Sequence, residues 1–426
     1  MPCREPDRER MQDGSLHNLH CKMMVKKIRF VTLLTVVLAV ACSKDGSEKE
    51  ALSAYALDVY WAGDYSGPLG IQVGTESVGG VQQPRMYIAG KTLYVTGMNC
   101  YNLFVQCHES DAMAIENMRR TVKTLEKEDV PVVRFSCSPY YARQFTYYFD
   151  RKEKYLSNLD SLATWCDQAH IALIPSVFWN TSSVPEYFSE PADAWGDVSS
   201  KTYSHMLKYA EDVVNVLKSH KSVVMWEFGN EFNLGADIGV SGYPQVSADA
   251  VSIAYKGFAE LVKKIDPHGR VVASGNSIMR NAQYHLYTEK NWNTDSFKQY
   301  ETITEIMTPY PMEGMSEHIY EDVRSFSDKG NVSRSDQVYY AQQVAAALGK
   351  VYYVGEFTGP KTASGDSLMV RKHLIAYFAQ RVQLSLMWNY ALKGDIEYSF
   401  KADTPYGNMA FNLMREYNEK FRTVTE

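Results

Sequence analysis

Short apolar segments recur along the chain after residue 85, and longer segments of mixed polarity separate them. Each short segment is rich in Val, Ile, Leu or aromatic residues, which is typical of parallel strands buried on both faces. We predict eight strands from this pattern, at residues 97–99, 131–135, 171–178, 222–228, 270–274, 315–320, 351–356 and 384–388.

The separating segments have apolar residues at the helical spacing of three and four, as Met206, Ala210, Val213 and Leu217 illustrate. Alternation of short strands with helices predicts a parallel sheet with helical crossovers. Eight such units in about 340 residues fit a single closed (β/α)8 TIM barrel, in the α/β class, better than an open sheet. No glycine-rich turn follows the first strand, which disfavours a dinucleotide-binding fold. A turn within residues 86–95 predicts an N-terminal hairpin before the barrel.

Residues 24–41 have the pattern of a secretory signal peptide, and the polar residues before them do not belong to it. Basic residues such as Lys26 and Arg29 precede an apolar run at residues 30–40 that is too short to span a membrane as a helix. Small residues then lead to Cys42, which resembles a bacterial lipoprotein cleavage site. We therefore predict upstream residues and a lipoprotein signal peptide over 1–41, a tether and lead-in over 42–85, and a catalytic barrel over 86–426.

Lipidation of Cys42 would make the protein secreted and anchored to a bacterial membrane, the outer one, facing the periplasm or the cell surface. The membrane would then be contacted through the lipid alone. An ordinary secretory signal with a coincidental cysteine is the alternative.

Composition narrows the class of function. The chain has 44 Lys+Arg and 50 Asp+Glu, a net charge of -6, and no basic block, which argues against nucleic-acid binding. No CxxC pair occurs, and His108 and Glu109 have no further ligand at a suitable spacing, so we expect neither a metal nor a cofactor.

Polar and aromatic side chains follow the predicted strands at their carboxyl ends, where the active site of such a barrel lies. Two of them are acids, Glu231 after the fourth strand and Glu356 at the end of the seventh. The other residues that we predict at this mouth are Asn99, Tyr101, Asn102, Arg134, Trp179, Asn180, Asn230, Asn276, His318, Tyr320, Trp388 and Asn389.

Two carboxylates at one mouth predict the cleavage of a glycosidic bond. One carboxylic acid protonates the leaving oxygen, while the second carboxylate attacks the anomeric carbon or activates water. The two groups need different pKa values, which different neighbours can impose. We expect Arg134 and Tyr320 to hold Glu356 ionised, by charge and by hydrogen bonding.

The fourth strand contains a further acid, Glu227. Strand alternation places its side chain on the face opposite Trp226 and Phe228, so we expect a structural rather than a catalytic role. We expect Trp226 and Phe228 to lie beside Glu231, to raise its pKa and to keep it protonated.

This set of residues resembles glycoside hydrolase family 5, in the clan of retaining barrel glycosidases, over roughly residues 86–421. In that family the acid/base follows an asparagine at the end of the fourth strand, as in Asn230-Glu231, and the nucleophile ends the seventh strand, as Glu356 does. The resemblance implies that an arginine, a His-x-Tyr pair and a tryptophan on other strands bind the substrate; they match Arg134, His318, Tyr320 and Trp388.

Many members of that family have a histidine after the third strand, where this chain has Phe178-Trp179-Asn180. The mannanase-like branch also lacks this histidine, which favours a mannanase over a cellulase. We expect Trp179 and Asn180 to face the sugar, whereas Tyr101 and Tyr140 either border a subsite or belong to the packing. The predicted function is retaining hydrolysis of a β-linked polysaccharide or oligosaccharide, with β-mannan slightly favoured over β-glucan.

Two alternatives remain open at this point. A transglycosylase would use the same residues and differ in acceptor access. A non-catalytic glycan-binding lipoprotein would use the barrel without turnover.

Overall fold

The structure is a computed structural model that describes residues 55–78, 80–104, 112–239, 245–320, 323–359, 368–391 and 399–425. The predicted signal peptide, Cys42, the first part of the predicted lead-in up to residue 54, and the pair His108 and Glu109 lie outside the described residues. No helix in the described part of the chain has both the length and the apolar character needed to cross a membrane.

A short N-terminal region precedes the barrel. Helix α1 (Ala56–Trp61) is followed by a three-stranded antiparallel sheet of β1 (Gln72–Val78), β2 (Val81–Ile88) and β3 (Lys91–Thr92). The predicted hairpin corresponds to the pairing of β2 with β3, in which Tyr87 lies opposite Thr92. Strand β1, which the sequence pattern did not predict, pairs with β2 from Val81 to Tyr87.

The remaining strands form the barrel and one additional hairpin. They are β4 (Val95–Asn99), β5 (Val132–Ser136), β6 (Ala172–Phe178), β7 (Trp226–Gly229), β8 (Val272–Ala273), β9 (Gly314–Ile319), β10 (Val323–Phe326), β11 (Gly330–Ser333), β12 (Val351–Phe357) and β13 (Leu384–Met387). Strands β4 to β9, β12 and β13 close into one parallel barrel, in the order β12-β13-β4-β5-β6-β7-β8-β9. The predicted TIM barrel is therefore confirmed, and all eight predicted strands lie at or beside their expected positions.

Helices surround the barrel and begin at chemically suitable residues. The helices after α1 are α2 (Ala112–Lys127), α3 (Phe145–Asp150), α4 (Lys152–Ala169), α5 (Ser183–Phe188), α6 (Lys201–Leu217), α7 (Ala248–Ile265), α8 (Gln283–Glu289), α9 (Phe297–Ile306), α10 (Arg334–Ala347), α11 (Leu368–Ala379) and α12 (Pro405–Thr425). Ser200, Ser247, Ser296 and Ser333 cap α6, α7, α9 and α10, each accepting a hydrogen bond from the backbone N–H three residues later.

The N-terminal region closes the amino end of the barrel. The backbone N–H of Ile71 donates to the carbonyl oxygen of Val224 over 2.7 Å, and that of Val271 donates to Ile71 over 2.9 Å. Tyr60 and Met86 are buried in the same cluster as the inward-facing apolar residues of the barrel strands. With this end covered, the carboxyl ends of the strands form the accessible mouth.

Candidate active site

A bulge in β12 positions Glu356. Along β9 and β12, Val354 pairs with Glu317 and Glu356 pairs with His318, so Gly355 is an extra residue on β12. Such a bulge redirects the side chain that follows it. Glu356 is 3% exposed, at the carboxyl end of its strand, as predicted.

Glu231 lies in the turn after β7 and has a left-handed backbone, with φ of 55°. Its backbone N–H donates to the carbonyl oxygen of Gly275 over 2.9 Å. Gly275 has φ of +72°, and a Cβ atom there would lie 1.9 Å from the carbonyl oxygen of Gly229, so only glycine fits. A strained, over-determined turn of this kind is typical of a functional side chain.

Arg134 on β5 connects the residues beneath the mouth. Its Nη1 donates to Glu356 Oε1 over 2.7 Å and to Asn99 Oδ1 over 3.0 Å. Its Nη2 donates to Asn230 Oδ1 over 2.9 Å, and Nε donates to Glu227 Oε1 over 2.8 Å. Nη2 also lies 2.8 Å from Glu227, so all five guanidinium N–H groups have acceptors.

The fourth-strand acid Glu227 faces the barrel interior, opposite to Trp226 and Phe228, as predicted. It is fully buried and also accepts a hydrogen bond from the hydroxyl of Tyr353 over 2.7 Å. The expectation that Trp226 and Phe228 lie beside Glu231 is wrong. Strand alternation turns both rings outward to the helices. There the indole N–H of Trp226 donates to Asp266, and Phe228 packs against Trp195 and Tyr255.

His318 and Tyr320 join the two acids. Nδ1 of His318 lies 2.9 Å from Glu231 Oε1 and 3.5 Å from Glu356 Oε1. The hydroxyl of Tyr320 donates to Glu356 Oε2. The other ring nitrogen of His318, Nε2, is buried without a hydrogen-bond partner among the described residues. Both residues predicted on the sixth strand are thus in contact with a carboxylate.

The two carboxyl groups have pKa values that are shifted in opposite directions. Burial acts to raise the pKa of Glu231, but the hydrogen bond and charge of His318, the Ser277 hydroxyl and the charge of Arg134 outweigh it and lower the pKa. Burial raises the pKa of Glu356 above its usual value, although His318 and Arg134 oppose the shift. The expected order of the two pKa values is therefore reversed.

Aromatic rings form one wall of the mouth. The Tyr101 ring stacks on Trp388 with centroids 5.2 Å apart and on Trp179 with centroids 5.6 Å apart. Tyr140 packs beside this group and donates its hydroxyl to the Tyr101 carbonyl oxygen over 2.9 Å. Asn180 does not line the cavity: its side chain donates to the Tyr140 carbonyl and accepts from the backbone of the following turn.

A cavity of about 950 Å³ opens at this mouth. Glu231, Glu356, Trp179, Trp388, Asn230 and His318 are among its lining residues. Arg134 lies below it and is fully buried. The predicted mouth residue Asn276 is also buried, because its amide bonds Tyr255 and the Met307 carbonyl instead.

Three of these side chains could in principle bind a cation. Glu231, His318 and Glu356 each offer one ligand atom, and these atoms lie within 4.8 Å of one another. Three of the four carboxylate oxygens are already engaged by Arg134, His318 and Tyr320, so the donor set is that of a hydrogen-bonded acid pair.

The family model of the glycosyl hydrolases family 2, TIM barrel domain, matches residues 80–406. The chain belongs to this family. The predicted TIM-barrel glycoside hydrolase is thereby confirmed at this level, although the matching family is number 2 rather than number 5. No curated protein matches the chain.

Solved structures of similar fold include several mannan-degrading enzymes. An endo-1,4-β-mannanase from Rhizomucor miehei is 17% identical, with a TM-score of 0.57 over 82% of this chain and 99% of that one. An endo-β-1,4-mannanase from Thermotoga petrophila is 16% identical, with a TM-score of 0.53 over 79% and 78%. A glycoside hydrolase family 5 mannosidase from R. miehei is 11% identical, with a TM-score of 0.56 over 85% and 99%. At sequence identities this low, the similarity shows a shared fold and nothing more.

Ser277 and Trp292 are among the residues of this glycosyl hydrolase site that sequence reasoning missed. Ser277 directly follows Asn276, so reading each strand end one residue further would have found it. Trp292 lines the cavity from a loop between β8 and β9, far from any strand end. Its neighbours Asn291 and Asn293 indicate a loop but not its direction.

Proposed function

We propose that this chain is a retaining β-glycoside hydrolase, with Glu356 as the nucleophile and Glu231 as the acid/base. The separation of the two carboxylates supports this most strongly, because an oxygen of Glu231 lies within 4.8 Å of an oxygen of Glu356. Retaining enzymes place the two groups roughly 5–5.5 Å apart, whereas inverting enzymes leave roughly 6.5–9.5 Å for a water molecule. In its catalytic residues the site resembles glycoside hydrolase family 5.

Glu356 is held for attack on the anomeric carbon. Arg134 and Tyr320 each bind one of its oxygens, so the carboxylate is fixed in direction and its charge is stabilised. Glu227 in turn fixes Arg134 and balances its charge. The glycosidic C–O bond breaks as the bond from Glu356 to the anomeric carbon forms.

Glu231 donates its proton to the leaving oxygen in that step. Its pKa is lowered, chiefly by His318, and its side chain is 27% exposed. A bound sugar would displace the surrounding water, which disfavours the ionised form and raises the pKa. His318 lies between both acids and holds the Glu231 carboxyl group in place, with its Nδ1 2.9 Å from Oε1. Glu231 then takes a proton from water, whose oxygen attacks the anomeric carbon and releases Glu356.

The remaining residues orient the sugar. Trp388 lies beside the nucleophile strand and would stack on the apolar face of the ring being cleaved, with Trp179 next to it. Asn230 has its Oδ1 held by Arg134, so its Nδ2 is the donor available to the sugar 2-hydroxyl. Asn180 would act by holding the turn that follows Trp179, and we do not assign it a direct contact.

We propose a β-linked polysaccharide or oligosaccharide as the substrate, with β-mannan ahead of β-glucan. The absence of a histidine after the third barrel strand supports this order, as does the fold likeness to mannanases. A related mannosidase structure, 13% identical with a TM-score of 0.54, contains mannosyl-fructose. Incubation with a panel of mannans and glucans, followed by chromatography of the released sugars, tests the proposal. No release from any β-glycan or aryl β-glycoside would instead indicate a glycan-binding protein.

We also propose that the protein is lipid-anchored through Cys42 on the outer side of a bacterial membrane. The apolar run and small residues before Cys42, with the polar tether after it, support this location.

A further inference from the structure

The loop between β8 and β9 carries a tryptophan that the proposed chemistry does not use. Trp292 is 56% exposed and lines the same cavity as Glu231 and Glu356. An indole at the rim of a cleft offers a flat, rigid apolar face on which a ring of a ligand can stack. This position at a sugar-sized cleft points to ligand binding.

The loop that carries Trp292 is fixed in place. Asp295, which is 1% exposed, accepts hydrogen bonds from the backbone N–H groups of Tyr284 and His285 over 2.8 and 3.1 Å. The ring of His285 also lies 2.6 Å from this carboxylate. The backbone N–H of Asp295 donates to the Asn281 carbonyl oxygen over 2.6 Å. The indole therefore stands on an ordered support, which keeps the entropy cost of binding low.

Arg280 connects the indole to the loop that carries the proposed acid/base. Its guanidinium carbon lies 5.9 Å from the Trp292 ring centroid, and its Nη2 donates to the Leu234 carbonyl oxygen over 2.8 Å. Leu234 lies three residues after Glu231. A cation at a ring of this kind stabilises the ring position.

The barrel order places Trp292 and Trp388 on opposite sides of the two carboxylates. Glu231 follows β7 and Glu356 lies on β12; β8 and β9 lie between them on one side, and β13, β4, β5 and β6 on the other. Trp388 follows β13, whereas Trp292 follows β8. Because the bond that breaks lies between the two carboxylates, a sugar on Trp388 directs its leaving group toward Trp292.

We propose that Trp292 is the platform of a leaving-group subsite that binds the C–H face of a neutral β-linked pyranose ring. This inference rests on the proposed function and deepens it, since such a subsite favours oligosaccharides over glycosides with a small leaving group. The cavity of about 950 Å³ has room for it, because pockets of about 300–1,000 Å³ hold ligands of several rings.

The test compares kcat/KM on β-1,4-mannotetraose and on 2,4-dinitrophenyl β-mannobioside for wild type, Trp292→Ala and Trp292→Phe. The two substrates differ in whether a sugar occupies the leaving-group side. In Trp292→Ala, kcat/KM on mannotetraose divided by kcat/KM on the aryl mannobioside should fall on the order of tenfold. In Trp292→Phe this ratio should fall less, because a smaller aromatic ring remains. Tyr339→Ala removes another exposed ring, on α10, and should leave the ratio unchanged.

An unchanged ratio in Trp292→Ala, or an equal loss on both substrates, would overturn the subsite. Absence of turnover of either substrate by wild type would count against the proposed function instead. In that case, calorimetric titration of wild type and Trp292→Ala with mannotetraose and cellotetraose decides about the subsite. Weaker binding by the variant supports it, whereas equal binding, or no binding to wild type, overturns it.

Discussion

A Cβ atom added to Gly355 would lie 2.8 Å from Nε2 of His318. The same atom would lie 2.7 Å from the Ser316 hydroxyl oxygen, so the space beside the nucleophile strand is closed to any side chain. Gly355 therefore lets the imidazole pack directly against the bulge that positions Glu356. The His318 ring then reaches both acids from one fixed place.

Gly355→Ala should disturb this arrangement. The added methyl group has to displace His318 or the bulge, which should cost about 1–3 kcal/mol of unfolding free energy. A misplacement of reacting groups by an ångström should lower kcat/KM by roughly a hundredfold. Thermal melting and kinetics on one purified sample measure both. Gly63→Ala is the matched control, since its Cβ would meet nothing within 4 Å; full activity in Gly355→Ala would contradict the packing argument.

The acid limb of the pH–rate profile should report Glu356. Because its pKa is raised, the carboxylate takes up a proton at a higher pH than an ordinary glutamate, and activity is lost as pH falls through that value. Tyr320→Phe removes a hydrogen bond to the charged form, so the limb should move to higher pH by about 1–2 units. The profile of kcat/KM on 2,4-dinitrophenyl β-mannobioside measures it, with Tyr339→Phe as the control. A limb that stays in place or moves to lower pH would show that Tyr320 does not stabilise the ionised nucleophile.

Trp388→Ala should impair catalysis more than stability. Stacking one sugar face on the indole buries apolar area worth about 1–2.5 kcal/mol, so kcat/KM should fall roughly fivefold to seventyfold. Trp61→Ala provides the contrast, because Trp61 stacks on His170 with centroids 5.0 Å apart, outside the cavity. It should lower the melting temperature without changing the rate per folded molecule. The same behaviour in Trp388→Ala would mean that this ring only packs the barrel.

Cys42→Ser tests the location. In a bacterial host, the wild-type protein should incorporate labelled palmitate and sediment with membranes, and the variant should do neither. Cys166→Ser, at a buried cysteine of α4, controls for the loss of a thiol. Membrane association that persists without Cys42 would indicate another tether.

Much of the fold and of the site follows from the sequence, because strand ends in a parallel barrel converge by topology. The short apolar runs marked each strand, and the residues just after them included both acids. Glu231 and Glu356 lie far apart in sequence, but the closed barrel brings the carboxyl ends of their strands to the same mouth. No knowledge of side-chain packing was needed to bring them to one mouth.

Features that depend on side-chain contacts could not be predicted in this way. The pKa of Glu231 was expected to rise from Trp226 and Phe228, but Glu231 lies in a left-handed turn beyond the strand and bonds His318 instead. Strand β8 has two residues where five were expected, and the residue before it, Val271, donates its backbone N–H to Ile71 of the N-terminal region instead of to a barrel strand. Loop directions, such as that of Trp292, leave no periodic signal.

Chemical rescue tests the assignment of the two acids most directly. Product configuration and rate are measured for Glu356→Ala and Glu231→Ala on 2,4-dinitrophenyl β-mannobioside, with and without azide. Glu356→Ala should lose several orders of magnitude in rate, and azide should partly restore it and give a glycosyl azide of inverted configuration. Glu231→Ala should retain most of its activity, because this leaving group needs no proton, and any azide product should keep the original configuration. Exchange of these two phenotypes between the variants would contradict the assignment of Glu356 as nucleophile and Glu231 as acid/base.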